Sequence, residues 1–288
     1  MCEIDDLTRW TKAGVTRRMF GAGALAGAAA ACAPVESAPG DSGAATLAET
    51  TVSFRTPDGT MDGEFFHPAS GKHPAVIFWP DIAGIRPAKR EMARRLAREG
   101  YAVLLANPYY RDVAGQQFAD FAAFAAAGGF QKVTPWRERF NGTTITTDAG
   151  AAAGWLYRQP AVDTARGIGT QGYCMTGSFA LLGPAADDHI HAGASFHGGG
   201  LVRAEGPSAH RSLRADAHYL IAIAQNDDAK APGDKTALRQ AADAAGTTAE
   251  IEVYPADHGW CVPDSPSYNQ PEAERAWARL LAVYKAAL

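Results

Sequence analysis

The stretch that decides the reading is Gly167-Ile-Gly-Thr-Gln-Gly-Tyr-Cys-Met-Thr-Gly177. A short strand pattern runs into Cys174 and a helical pattern runs out of it. A sharp strand-to-helix turn of this kind exposes a nucleophile at the top of a sheet. A cysteine there, with a histidine far downstream, points to covalent catalysis by a thiolate. A plain buried thiol is the competing reading, since free cysteine is among the most buried residue types. The flanking glycines and the turn argue against it.

Outward from this turn, strand and helix patterns alternate. Thr50–Thr56 and Met61–His67 read as strands joined by the turn signal Pro57-Asp58-Gly59. The apolar runs Ala75–Pro80 and Tyr101–Ala106 read as strands buried on both faces. Gly167–Tyr173, Ala192–Phe196, Ala217–Ala224 and Ala249–Tyr254 complete a set of eight. Helical spacing covers Pro87–Glu99, Phe118–Ala127, Thr144–Arg158, Met175–Ala186, Asp234–Ala245 and Pro271–Leu288. Strands alternating with helices predict an α/β fold: one mainly parallel sheet covered on both faces, with the first two strands antiparallel. No linker composition interrupts residues 50–288, so they form one domain.

Residues 1–31 read as a separate signal. Arg17-Arg18 precede the small apolar run Gly21–Ala31, the order of a basic region, a short apolar region and a small-residue cleavage site. The paired arginines point to the twin-arginine export machinery and an extracytoplasmic destination. The run is too short and too rich in Ala and Gly for a stable membrane span. Ala-Ala-Ala-Cys32 resembles a lipoprotein processing site without its usual leucine, so a lipid anchor at Cys32 and plain cleavage near Ala31 both stay open. Residues 32–49 read as a flexible linker. A net charge of −4 with no basic run gives no case for nucleic acid.

In open parallel sheets, sites form at the carboxyl ends of the strands. Cys174 ends the fifth strand. His258 follows the last strand and suits a general base. Asp227 and Asp228 follow the strand between them, and one of the two is the orienting acid in the chain order nucleophile, acid, histidine. Two backbone N–H groups, from Met175 and from Ile82 in Pro80-Asp81-Ile82-Ala83-Gly84, would hold an oxyanion.

Taken together, Pro80–Gly84, Tyr101–Arg111, Gly172–Gly177, Asp228–Pro232 and Tyr254–Gly259 resemble the dienelactone hydrolase family of the α/β-hydrolase fold over roughly residues 50–288. The resemblance implies a Cys174–Asp228–His258 triad, because the family's acid lies four residues before a proline. It implies hydrolysis of small esters or lactones, with no metal and no organic cofactor. Two departures stand out. Thr176 replaces the usual elbow glycine, and Asp81 replaces a frequent glutamate that contacts the resting thiol, leaving Asp81 as either a thiol gate or a helix cap. The family's substrate-binding arginines have no match. Arg111, His197 and Trp260 are candidate pocket residues, with a structural ion-pair role open for Arg111 and a satisfied buried role open for His197. The segment Gly128–Asn141, with Trp136, Arg137 and Arg139, is either a pocket overhang or a surface loop.

Overall fold

The computed structural model describes residues 46–204 and 208–288. The predicted export signal, Cys32 and residues 32–45 of the predicted linker lie outside the described residues, and residues 47–49, also read as linker, belong to the first strand. Eight strands form one sheet in the order β1-β2-β4-β3-β5-β6-β7-β8. They are β1 (Leu47–Thr56), β2 (Gly59–Pro68), β3 (Ala75–Trp79), β4 (Ala102–Ala106), β5 (Ile168–Tyr173), β6 (Ile190–Phe196), β7 (His218–Ala224) and β8 (Thr248–Tyr254). β1 pairs antiparallel with β2, and β2 antiparallel with β4; the remaining pairs are parallel. This is the predicted α/β architecture.

The helices are α1 (Pro87–Arg98), α2 (Phe121–Ala126), α3 (Gly129–Arg137), α4 (Gly142–Leu156), α5 (Gly177–Leu182), α6 (Gln225–Lys230), α7 (Asp234–Ala245) and α8 (Gln270–Ala287). Two of them, α3 and α6, fall outside the helical patterns of the sequence. The helix predicted over Met175–Ala186 is shorter than its pattern. Residues 174–176 and 183–185 form tighter helical turns around α5, the second one at Gly183-Pro184. Asn141 caps α4 reciprocally with Thr144, which supplies two otherwise unmet backbone partners at that end.

The central strands explain the stability of the platform. In β4 every residue is buried, and the faces alternate. Ala102, Leu104 and Ala106 join one apolar cluster, while Val103 and Leu105 join the cluster on the other face. Each fully buried Val, Leu or Phe of this kind contributes about 1.5–3 kcal/mol. The six parallel strands therefore form a rigid plate. Its carboxyl edge presents the loops after β3, β4, β5, β6, β7 and β8 side by side.

Candidate active site

Cys174 occupies the turn between β5 and α5 with φ +56°, one of two non-glycine residues in the left-handed region among the described residues. Strain of this kind costs about 1–3 kcal/mol and persists only where the surroundings hold it. Here they do. A side chain at Gly172 would place its Cβ 2.0 Å from the Thr176 carbonyl oxygen, and one at Gly177 would meet Gly198 and Ser195 at 2.5 Å. Glycine is required on both sides because the turn doubles back on itself.

Thr176, the residue that departs from the usual glycine, is fully buried and fixes this turn. Its Oγ1 accepts the Tyr173 N–H at 3.0 Å and lies within donating reach of the Trp79 and Pro80 carbonyls at 3.1 and 3.0 Å. The hydroxyl thus links the elbow to the loop after β3. A β-branched residue is accommodated because its polar arm occupies a place that backbone groups would otherwise leave unpaired.

His258 follows β8. Its backbone N–H donates to Asn226 Oδ1 at 2.8 Å, and its Nδ1 hydrogen-bonds Oδ2 of Asp227 at 2.7 Å. That commits one ring nitrogen and turns the other toward Cys174, with which His258 also shares a side-chain hydrogen bond. Burial pushes the His258 imidazolium toward losing its proton. The Cys174 sulfur in its thiolate form and the Asp227 carboxylate outweigh burial and raise it to about 10.

The acid read from sequence is therefore corrected from Asp228 to Asp227. Asp228 Oδ2 accepts from Lys235 Nζ at 2.7 Å instead. Both aspartates lie in α6, where consecutive side chains point about 100° apart, so only one of them faces the histidine. Asn226, absent from the sequence reading, belongs to the site because it fixes the His258 backbone.

Asp81 has neither of the two roles read from sequence, thiol gate or helix cap, as its main one. Its carboxylate takes Arg86 Nη1 and Nη2 at 2.7 and 2.9 Å, Lys89 Nζ at 2.9 Å, and the Ala83 N–H at 3.0 Å. Arg86 and Lys89 are fully buried. Burial alone would raise the Asp81 carboxyl, but the two cations hold it well below the usual carboxylate range. Both oxygens are committed, so Asp81 works as the anchor of an ion cluster. Arg86 continues to Asp264 at 2.7 Å, and Asp264 accepts the Phe121 N–H at 3.0 Å. The cluster ties the loop after β3 to the loop after His258 and to the start of α2.

Ile82 and Cys174 belong to one apolar cluster, and Met175 packs against it. Gly84, at φ +73°, lets the loop turn back so that its N–H bonds the Asp81 carbonyl at 2.9 Å. The Tyr109 hydroxyl donates to the Ile82 carbonyl at 2.8 Å and holds that peptide in place.

The three predicted pocket residues have other surroundings. Arg111 bridges Asp58 and Asp148 as an ion-pair residue. Trp260 is fully buried against Tyr254 and His197. His197 is 1% exposed and packs behind His258. A cavity of about 550 Å³ next to the elbow is lined by Met175, Gly199, Arg137 and Arg203 together with the apolar Phe140, Ile145, Phe179, Leu182 and Val202. Of the candidate overhang, Arg137 reaches this cavity, Trp136 packs on Tyr109, and Arg139 pairs with Asp112. Among the described residues no cluster of His, Cys, Asp or Glu has the makeup of a metal site.

Residues 61–288 match the dienelactone hydrolase family. An Escherichia coli K12 protein named "Putative carboxymethylenebutenolidase" is 28% identical over 222 residues, which is 75% of this chain and 78% of that protein. A Synechocystis protein of the same name is 26% identical over 226 residues, or 76% of this chain and 89% of its own length. Among solved structures, a "Putative Dienelactone Hydrolase" from Klebsiella pneumoniae superposes with TM-score 0.70 at 24% identity, covering 83% of this chain and 99% of its own. A dienelactone hydrolase-like promiscuous phosphotriesterase from metagenomic libraries shares the fold, with TM-score 0.64 at 21% identity over 84% of this chain and 98% of its own. The chain belongs to the dienelactone hydrolase family and is a hydrolase of the ester and lactone class.

Proposed function

We propose that this member of the dienelactone hydrolase family cleaves small esters or lactones through an acyl-thioester on Cys174. The observation that carries the reading is the line Cys174–His258–Asp227, built at the strained turn between β5 and α5. The Cys174 thiolate attacks the substrate carbonyl carbon, forming a C–S bond and an oxyanion. The N–H groups of Ile82 and Met175 receive that oxyanion. Collapse breaks the C–O bond, and the leaving oxygen takes the proton of the His258 imidazolium. In a lactone the released hydroxyl or enol stays attached to the acyl chain.

His258, now neutral, then takes a proton from water. The hydroxide attacks the thioester, the C–S bond breaks, and the acid product leaves the thiolate paired again with protonated His258. Asp227 keeps the ring in one tautomer throughout and stabilises its charged form. Oxygen leaving groups suit this cycle better than amines, because the intermediate formed on an amide expels the thiolate, the better leaving group, and returns to substrate.

The cavity supports a substrate with an apolar acyl body. Arg137 and Arg203 have no ion-pair partner among the described residues, and Nε of Arg137 is buried without a hydrogen bond. A carboxylate at the far end of the acyl group would satisfy them. The curated relatives, whose name denotes a carboxyl-bearing lactone, support the same chemistry. The paired arginines Arg17-Arg18 and the small apolar run behind them support export by the twin-arginine route.

Intact-mass spectrometry after rapid mixing with p-nitrophenyl acetate tests the mechanism. The expected result is a transient acetyl adduct mapped to Cys174 and absent from Cys174→Ala. Hydrolysis at the wild-type rate by Cys174→Ala would overturn it. Fusing residues 1–49 to a folded reporter tests export, with periplasmic signal that Arg17→Lys/Arg18→Lys abolishes as the expected outcome.

A further inference from the structure

His197 is a histidine in a place that chemistry makes costly. It stands one residue past β6 at φ +42°, the second of the two non-glycine residues with positive φ among the described residues. The first is Cys174. The next three residues are glycines, which adopt this conformation without strain. The His197 side chain is 1% exposed, and neither ring nitrogen has a hydrogen-bond partner. Strain at a non-glycine residue and two unpaired buried nitrogens both oppose this residue here. Something about the ring itself must justify it.

Its neighbours supply the reason. The His197 ring meets the His258 ring at 4.7 Å between centroids and 60° between planes, an edge-to-face contact. On its other sides it meets Trp260 at 5.2 Å and 68°, and Tyr173 at 6.0 Å. Trp260 is itself stacked on Tyr254 at 5.2 Å. The imidazole is thus held in an aromatic socket whose open side is the catalytic histidine. The backbone is fixed as well, since the His197 N–H donates to the Ala222 carbonyl at 2.8 Å.

The hydrogen bonds of His258 to Asp227 and Cys174 hold its two nitrogens, but bonds in the plane of the ring restrain its tilt only weakly. Contact on the ring removes this freedom. We propose that His197 is a positioning residue: a neutral aromatic wedge that fixes the plane of the His258 ring, so that Asp227 and Cys174 stay aligned on its two nitrogens. The wedge must be uncharged, since a second cation beside the His258 imidazolium would repel it. Burial is the main cause that keeps it neutral; charged His258 and Lys89 act in the same direction, and Asp81 opposes them.

The proposal rests on Cys174 being the nucleophile, so the test carries Cys174→Ala as a control. Three substitutions separate an aromatic wedge from a plain filler: His197→Phe, His197→Leu and His197→Met. The readouts are kcat, KM and the pH profile of iodoacetamide alkylation at Cys174. His197→Phe is expected to keep kcat within about threefold of wild type. His197→Leu is expected to lose at least tenfold in kcat with KM within threefold, and to shift Cys174 alkylation to higher pH. His197→Met takes the place of the leucine variant if that one does not fold.

A leucine or methionine variant with wild-type kcat and alkylation profile overturns the wedge. So does a phenylalanine variant that falls as far as the leucine one. If Cys174→Ala keeps its activity, the underlying mechanism fails instead, and that result is distinct from either outcome at His197.

Discussion

Cys174 and Cys261 are the two cysteines of the described residues, and they pack in different apolar clusters. Cys174 ends β5, held at positive φ, with His258 and Asp227 in line behind it. Cys261 lies three residues past His258 and packs with Met92 and Trp277 against the second apolar cluster. Burial pushes the Cys261 thiol well above its ordinary value, although Lys89 works in the other direction. The contrast shows that the facing groups, more than burial, decide what a thiol does. One is aimed at a histidine that its own thiolate raises to about 10; the other keeps its proton in apolar surroundings. No disulfide joins them.

The largest break in this comparison comes from deleting each thiol. Cys174→Ala is expected to lower kcat for p-nitrophenyl acetate by about a thousandfold or more, because no other group replaces the covalent step. Cys261→Ala should stay within threefold in the same assay.

Next in size is the aspartate pair. Asp227→Asn should lower kcat by about 10²–10⁴, the range for losing the group that sets the histidine tautomer. Asp228→Asn touches only the Lys235 ion pair and should stay within threefold. The pH profile carries the sign. His258 is raised in the folded protein, so its protonated form, and the stability it contributes, are fully present below about pH 6.5 and are lost as pH rises through about 10. Wild-type kcat/KM should accordingly hold through neutral pH and decline near 10. In Asp227→Asn that decline should move to lower pH.

A smaller effect is expected at the cavity. Arg137→Ala and Arg203→Ala should each raise KM by about 10–150-fold for an ester ending in a carboxylate, as a charged hydrogen bond of about 1.5–3 kcal/mol implies. KM for a neutral ester of the same length should hold, as steady-state kinetics on the pair of esters will show. Smallest is Thr176→Val, which keeps the shape of the elbow and removes its hydroxyl. Urea unfolding should show a loss of about 1–3 kcal/mol from the backbone groups left unpaired.

The sheet was legible because its central strands are unbroken apolar runs, as β3 and β4 show. The elbow was legible because its glycines and the strand-to-helix switch are local. His258 was legible from its place after the last strand. The acid was not, because counting back from Pro232 says nothing about which way a helical side chain points, and α6 turns Asp227 to the histidine and Asp228 to Lys235. The same limit explains Arg111, Trp260 and His197. All three follow strand ends, yet their side chains turn into ion pairs or the interior. The cavity was hidden in α3, whose internal Pro135 and mixed composition read as a loop. The role of Thr176 required the three carbonyls around it, two of which come from residues nearly a hundred positions away.

The central claim is that Cys174 is a thiolate at neutral pH because His258, oriented by Asp227, pairs with it. Iodoacetamide alkylation of the folded wild-type protein at pH 6.5, read cysteine by cysteine by peptide mass spectrometry, tests it most directly. The account predicts rapid modification of Cys174, slowed strongly in Asp227→Asn, while Cys261 stays unmodified. Equal, slow labelling of both cysteines, rising together only above pH 8 as ordinary thiols do, would contradict it.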